Sequence, residues 1–252
     1  MSKVSVLFCC FNSFLSFVFS FLFMRENCTV CSGETFYYPV CSSCLKKYFF
    51  KKSFFKENRC SWCGKFLSSE EKLCSECRTM NTEFCFSRSL PLFPYRLWYK
   101  SILFSWKMKE NRSFSRLFAR CIYNALREAY GKEIPPVVPV PPRPGKIREK
   151  GWDQMEDIVS ILEKLYKIKV LRLLKRVSRK QQKKLGREGR LSSAEKGYVF
   201  AGNEVFFRNS LPEEVVVIDD VFTTGSTMEN CARVLKAAGI GKVTAMTLFI
   251  VD

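Results

Sequence analysis

Residues 215–227 read Val-Val-Val-Ile-Asp-Asp-Val-Phe-Thr-Thr-Gly-Ser-Thr, and the reading of this stretch decides the fold. Val215 to Ile218 form a continuous β-branched run, the pattern of a strand covered on both faces in a parallel sheet. The run passes into two carboxylates, Asp219 and Asp220, then into a loop of small residues, Thr223, Thr224, Gly225, Ser226 and Thr227. Met228, Cys231, Ala232, Leu235 and Ala238 follow on one face at helical spacing, and Gly239 is placed to end the helix. Free backbone N–H groups at a helix start carry partial positive charge and bind phosphate, Gly225 permits close approach, and the hydroxyls add donors. The carboxylates would repel that phosphate, but they can accept hydrogen bonds from vicinal sugar hydroxyls or share a Mg²⁺ with them. A ribose 5-phosphate meets both demands. An ordinary strand-to-helix turn is the competing reading, and a P-loop fits poorly because no Gly-Lys-Ser/Thr follows the glycine.

Working outward, the chain of 252 residues is long enough for one α/β domain and a smaller module. It carries 42 Lys and Arg against 24 Asp and Glu, a net charge of +18. The excess is concentrated: residues 143–190 hold 16 basic and 6 acidic side chains, and residues 46–65 hold 7 and 1. Such a field favours polyanions, either nucleic acid or a pyrophosphorylated ligand, as well as solubility. The absence of histidine excludes Ser-His and Cys-His catalysis and leaves thiolates or carboxylates as zinc ligands.

Residues 4–24 are apolar and rich in phenylalanine, long enough to span a bilayer but weakly flanked by Lys3 and Arg25. Membrane contact, a covering helix for the next module, and translation from Met24 are three readings of this segment. Four knuckles follow, Cys28-x-x-Cys31, Cys41-x-x-Cys44, Cys60-x-x-Cys63 and Cys74-x-x-Cys77. Each presents two thiolates, and two knuckles complete a tetrahedron around Zn²⁺. Gly33 and Gly64, just after the first and third knuckles, suit positive φ and favour pairing first with second and third with fourth, giving two structural zincs. A cross-brace or nested pairing is also compatible with the spacing, and disulfides are the alternative chemistry. Phe49, Phe50, Phe54, Phe55 and Trp62 read as module core or as stacking platforms for nucleic acid.

After Pro91 and Pro94 the periodicity predicts helices over 97–108 and around Leu117 to Ala129, the second ending at Gly131. Val137 to Val140 reads as a strand leading into Pro141-Pro142-Arg143-Pro144-Gly145, a basic, stiff loop suited to an anion, with Lys146 beside it. Asp153 is placed to cap a helix whose buried face is Met155, Ile158, Val159, Leu162, Leu165 and Tyr166. Val170 to Leu174 reads as a strand, 179–190 as a charged mobile loop, and Val243 to Val251 as the last strand. The alternation predicts a parallel, doubly wound α/β sheet with its ligand at the strands' C-terminal edge.

The 215–227 string resembles the phosphoribosyl-pyrophosphate signature of type I phosphoribosyltransferases. The resemblance implies that Asp219 and Asp220 face the ribose hydroxyls and Thr223 to Thr227 wrap the 5-phosphate. Thr223 stands where 6-oxopurine enzymes of that group carry a carboxylate, which argues against purine salvage. The knuckles, Trp106-Lys107, Val-Pro-Val-Pro at 138–141, Lys150-Gly-Trp-Asp-Gln154, Gln182-x-x-Leu185 with Arg190, and the acidic pair with its loop are together similar to the ComF family of competence proteins. Ser193 replaces that family's usual Asn. The apolar run makes 1–24 a hydrophobic N-terminal segment; over roughly 28–250 the resemblance implies a zinc-ribbon-like module, placed at 25–90, and a phosphoribosyltransferase-like domain at 91–252 that includes a helical linker, 91–133. It further implies a cytoplasmic protein, in reach of the inner membrane face through residues 4–24, that binds phosphoribosyl pyrophosphate with Mg²⁺ and works with single-stranded DNA and the DNA-uptake machinery. Arg143 and Lys146 would then meet the pyrophosphate. A catalytically inactive DNA-binding scaffold and a nucleobase-salvage transferase are the alternatives.

Overall fold

The computed structural model describes residues 26–35, 38–50, 53–55, 58–68, 71–79, 84–177, 197–202 and 211–251. The apolar segment 4–24 and the charged stretch 179–190, with Gln182, Leu185, Arg190 and Ser193, lie outside the described residues. The chain divides by its contacts after Lys51 into a small N-terminal unit and a larger one.

In the small unit, strands β1 (Glu26–Asn27) and β2 (Glu34–Thr35) pair antiparallel around the first knuckle. Helix α1 (Ser42–Cys44) runs on into a single wide turn, Leu45–Phe49, which buries Leu45 and Phe49. The positive φ of the first knuckle falls on Ser32, at 60°, rather than on Gly33 as expected. The turn closes one residue early, with the Ser32 N–H donating to the Cys28 carbonyl at 2.7 Å.

The larger unit is a mixed α/β structure built on a four-stranded parallel sheet. Its strands are β3 (Arg88–Pro94), β4 (Val137–Pro139), β7 (Glu214–Phe222) and β8 (Lys242–Ile250), in the spatial order β3-β8-β7-β4. A separate two-stranded antiparallel sheet joins β5 (Leu174–Arg176) to β6 (Tyr198–Phe200). Val215 to Ile218 are fully buried, as a strand covered on both faces must be. Val215, Val217, Val243 and Ala245 pack in one core with Met228, Cys231, Ala232 and Leu235 of helix α7 (Ser226–Ala237). A second core gathers on α3 (Trp98–Met108) and α4 (Ser113–Tyr130), where the Phe118 ring lies 4.8 Å from that of Trp106 and 5.6 Å from that of Phe249. The indole N–H of buried Trp106 donates to Ser115 Oγ at 3.0 Å, which fixes α3 against α4. Helix α6 (Gln154–Tyr166) packs on α4 and starts as expected, with Asp153 Oδ1 accepting the N–H groups of Met155 and Glu156 at 2.9 and 3.1 Å. Leu165, read as part of its buried face, is 66% exposed; the helix buries Met155, Ile158, Val159 and Leu162 and ends two residues later at Lys167, whose φ is 56°.

Two segments depart from the periodicity. Residues 170–174 make only one parallel bridge, Val170 to Val137, before Arg172 is taken up by Glu156 and Glu163 of α6 at 3.0 and 3.1 Å. The regular strand there starts at Leu174, in the antiparallel pair. Strand β3, by contrast, is unforeseen. Pro91 and Pro94 remove two donors, which an edge position tolerates. The third and fourth knuckles, with helix α2 (Ser75–Thr79), belong to this larger unit and cover that edge. The Ser89 N–H donates to the Trp62 carbonyl at 2.9 Å, and Arg59 donates to the Pro91 carbonyl at 2.7 Å and to the Phe54 carbonyl at 3.0 Å. Phe54 is buried against Phe93 and Phe49 is buried in the small unit, so both are core rather than stacking platforms.

Gly64 is the tightest point of this seat. Its φ is +76°, as expected, and a Cβ there would stand 2.3 Å from Pro91 Cδ and 2.8 Å from the Ser89 carbonyl oxygen. Gly64→Ala is therefore expected to lower stability by about 2 kcal/mol or more in urea unfolding. An unchanged midpoint would mean that the knuckle is not seated on β3.

Candidate functional site

The eight knuckle cysteines form two groups, Cys28, Cys31, Cys41 and Cys44 in the small unit and Cys60, Cys63, Cys74 and Cys77 in the larger one. Knuckles thus pair first with second and third with fourth. In each group all ligand atoms lie within 4.8 Å of one another. Cys31 and Cys41 sulfurs are 3.6 Å apart and those of Cys63 and Cys74 3.7 Å. A tetrahedron with Zn–S near ~2.3 Å has edges of about 3.8 Å, whereas a disulfide bond is about 2.05 Å long. The two groups could therefore hold two zinc ions. Their acidities are unequal. Burial acts to raise the Cys60 thiol, but backbone hydrogen bonds from Cys74, Cys63 and Trp62 outweigh it and bring the group down to about 7. Burial pushes the Cys77 thiol up to about 12, with hydrogen bonding to Cys74 adding to it, and burial and the charge of Cys60 push Cys63 higher still. Without a cation the four thiols cannot all ionise together, and a divalent ion removes that obstacle.

The second site is a cleft of about 350 Å³ at the C-terminal ends of β4 and β7. Of the residues expected there, Asp219, Asp220, Thr227, Arg143 and Lys146 line it. Thr223, Thr224, Gly225 and Ser226 form the turn that enters α7 beside it, with Thr223 and Thr224 exposed to solvent and outside the lining. Gly225 has a φ of +78°, and a Cβ on it would meet the Phe222 ring at 2.7 Å, so glycine is required twice over. No side chain caps α7. The turn's hydroxyls engage each other instead: Thr224 Oγ1 is 2.6 Å from Ser226 Oγ and accepts the Ser226 N–H at 3.4 Å.

Asp219 is half-buried, and its Oδ1 accepts the backbone N–H of Asp220 at 2.8 Å. Burial first and the neighbouring Asp220 charge second push its carboxyl up to about 8, against the opposing pull of the Asp220 amide and Lys107. Asp220 Oδ2 is held by Lys107 Nζ at 2.6 Å. The predicted anion ligands also have partners: Lys146 Nζ donates to Asp153 Oδ2 at 2.6 Å and to Gln154 Oε1, and Arg143 pairs with Glu149. Lys107, Arg176 and Tyr198 are contributors that residue patterns left unassigned to the site. Trp106-Lys107 carries the only hint of the first, and Arg176 is hidden within the basic stretch 143–190. Arg176 reaches the cleft from β5, with its guanidinium 5.6 Å from the Tyr198 ring centroid.

Among the described residues no helix is long and apolar enough to cross a membrane. A scan against protein-family models finds no match to this sequence, and a search of curated proteins finds no similar chain.

Metal analysis of the purified full chain is expected to find about two zinc ions per molecule, one of them lost in Cys28→Ser/Cys31→Ser, since each group supplies one set of four thiolates. A full pair retained in that variant would contradict two independent centres. The weakened acidity of Asp219 has a consequence for stability. Between the ordinary carboxylate range and about 8 the folded chain holds a proton that the unfolded chain has released. Its stability must therefore fall as pH rises through that window and level off above it. Asp219→Asn is expected to flatten this decline between pH values of about 6 and 9, measured as Tm against pH; parallel curves for the two proteins would contradict the assignment.

Proposed function

We propose that this chain is a phosphoribosyltransferase-like protein of ComF type that binds phosphoribosyl pyrophosphate with Mg²⁺ in the cleft. One observation carries the reading: the carboxylates in the C-terminal half of β7 share a cleft with Arg143, Lys146 and Arg176 beside the start of α7. A phosphorylated sugar needs both kinds of group, and an ordinary strand-to-helix turn needs neither.

The 5-phosphate belongs at the turn 223–227, where the first N–H groups of α7 and the hydroxyls of Thr223 to Thr227 supply donors. The ribose 2′- and 3′-hydroxyls belong against Asp219 and Asp220, and the pyrophosphate belongs toward Arg143, Lys146 and Arg176. The volume of about 350 Å³ is at the lower end of small-ligand pockets. Asp219 and Asp220 are hard oxygen ligands of the kind Mg²⁺ takes, and their mutual repulsion fits a site that gains from a divalent cation. Bound there, Mg²⁺ would neutralise charge on the pyrophosphate. If transfer takes place, positive charge develops at the anomeric carbon, and the basic side chains stabilise the departing anion. Lys107 holds Asp220 in its place and has to yield or share that carboxylate when ligand enters.

The same proposal gives the chain a role in DNA uptake on the cytoplasmic side, with single-stranded DNA held by the basic stretches and the competence machinery as partner. The ComF likeness supports that role, and the charge at 143–190 agrees with it. Thr223 keeps purine salvage behind this reading.

Calorimetry of wild-type protein with phosphoribosyl pyrophosphate and Mg²⁺ is expected to give binding that Asp219→Ala/Asp220→Ala weakens at least about thirtyfold, the loss of two or more charge-assisted hydrogen bonds. Undiminished affinity would overturn the site. Pyrophosphate release in the presence of nucleobases or nucleic acids then separates a transferase from a binder.

A further inference from the structure

Next to the cleft lies a second, larger groove of about 670 Å³ that the sugar-phosphate reading leaves unexplained. The two share Pro141, Pro142, Arg143 and Arg176. The apolar part of the groove is made by Pro141, Pro142 and Pro144 with Ile147, a side chain 48% exposed. Its charged part is Arg143, Arg148, Lys175 and Arg176, and no carboxylate is among its lining residues. Glu149, which pairs with Arg143, is not in the lining.

We propose that this groove binds a nucleotide, a phosphate carried on a flat heteroaromatic ring, either free or as one unit of a single strand. Each part of that ligand answers a feature of the groove. Four cations from two chain segments, with no carboxylate in the lining, call for an anion. Flat proline rings and an exposed isoleucine offer an apolar bed, and an arginine side chain stacks on planar rings while reaching a phosphate. Inorganic phosphate would leave the apolar bed and most of the volume unused, and an uncharged ring would leave the cations unanswered. Helix α5 (Lys146–Lys150), the proline-rich loop before it and β5 bring these groups together. The proposal rests on the nucleic-acid part of the function proposed above; the groove shares Arg143 and Arg176 with the sugar-phosphate cleft, but Ile147, Arg148 and Lys175 belong to the groove alone.

The test is calorimetry on the full zinc-loaded chain with deoxyadenosine 5′-monophosphate as probe. Binding is expected, with deoxyadenosine and inorganic phosphate each weaker by at least about tenfold, and Arg148→Ala/Lys175→Ala weakening the nucleotide by at least about tenfold. Ile147→Glu, which places an acid on the groove without removing a cation, is expected to do the same. Neither variant changes the affinity for phosphoribosyl pyrophosphate, since none of these three residues lines the cleft. An oligodeoxyadenylate that binds more tightly than the mononucleotide identifies the ligand as a strand, and equal affinity identifies a free nucleotide. The proposal is overturned if the mononucleotide does not bind, if both variants bind it like wild type, or if a polyglutamate peptide competes more strongly than the nucleotide. Strand binding that both variants leave intact would sink the groove and spare the DNA-holding role; nucleotide binding without strand binding would do the reverse.

Discussion

The cleft exists because one strand meets two incompatible demands along its length. Val215 to Ile218 must be shielded from water on both sides, and the next two residues are acids that need water, a cation or hydroxyl groups. A parallel sheet reconciles these demands by running the apolar half under helices and ending all strands at the same edge. At that edge the chain turns, and the acids find the Asp220 amide and Lys107 instead of solvent alone. The reconciliation is incomplete. Asp219 retains its proton well above the usual carboxylate range, which marks the place where the fold holds unspent electrostatic energy.

The two helix starts near the cleft show how the chain divides structure from function. Helix α6 is closed by the side chain of Asp153, itself buried, which takes two amides and also receives Lys146. Helix α7 begins at a glycine and has no such closure. The first arrangement satisfies the backbone permanently. The second leaves donors beside a basic cleft, where an anion can complete them.

What could be read in advance follows from how local the cause is. The strand, acidic pair and helix from Val215 to Ala237 are contiguous, so their pattern survived intact into the structure. The same holds for Asp153 as a cap, for the helix ending at Gly131, and for the pairing of neighbouring knuckles. Strand β3 was hidden because Pro91 and Pro94 argue against a strand unless an edge is known to be available, and that edge is made by residues 242–250, far along the chain. Leu165 obeys the helical period but lies beyond the reach of the core. Ser32 takes the left-handed turn that Gly33 was expected to take. Lys107 and Arg176 join the cleft only through tertiary packing, which spacing cannot express.

The seating of Cys60 to Cys77 on β3 sets an order of assembly. Strand β3 pairs with β8, which lies far along the chain, so for much of synthesis its inner side has no neighbour. The knuckle is complete before β3 emerges. A nascent chain that has captured an ion there can therefore clasp β3 from the outer side through Trp62 and Arg59 while β8 is still being made. An ion held by these four cysteines would fix the clasp, and metal supply would then bear on folding as well as on the finished structure.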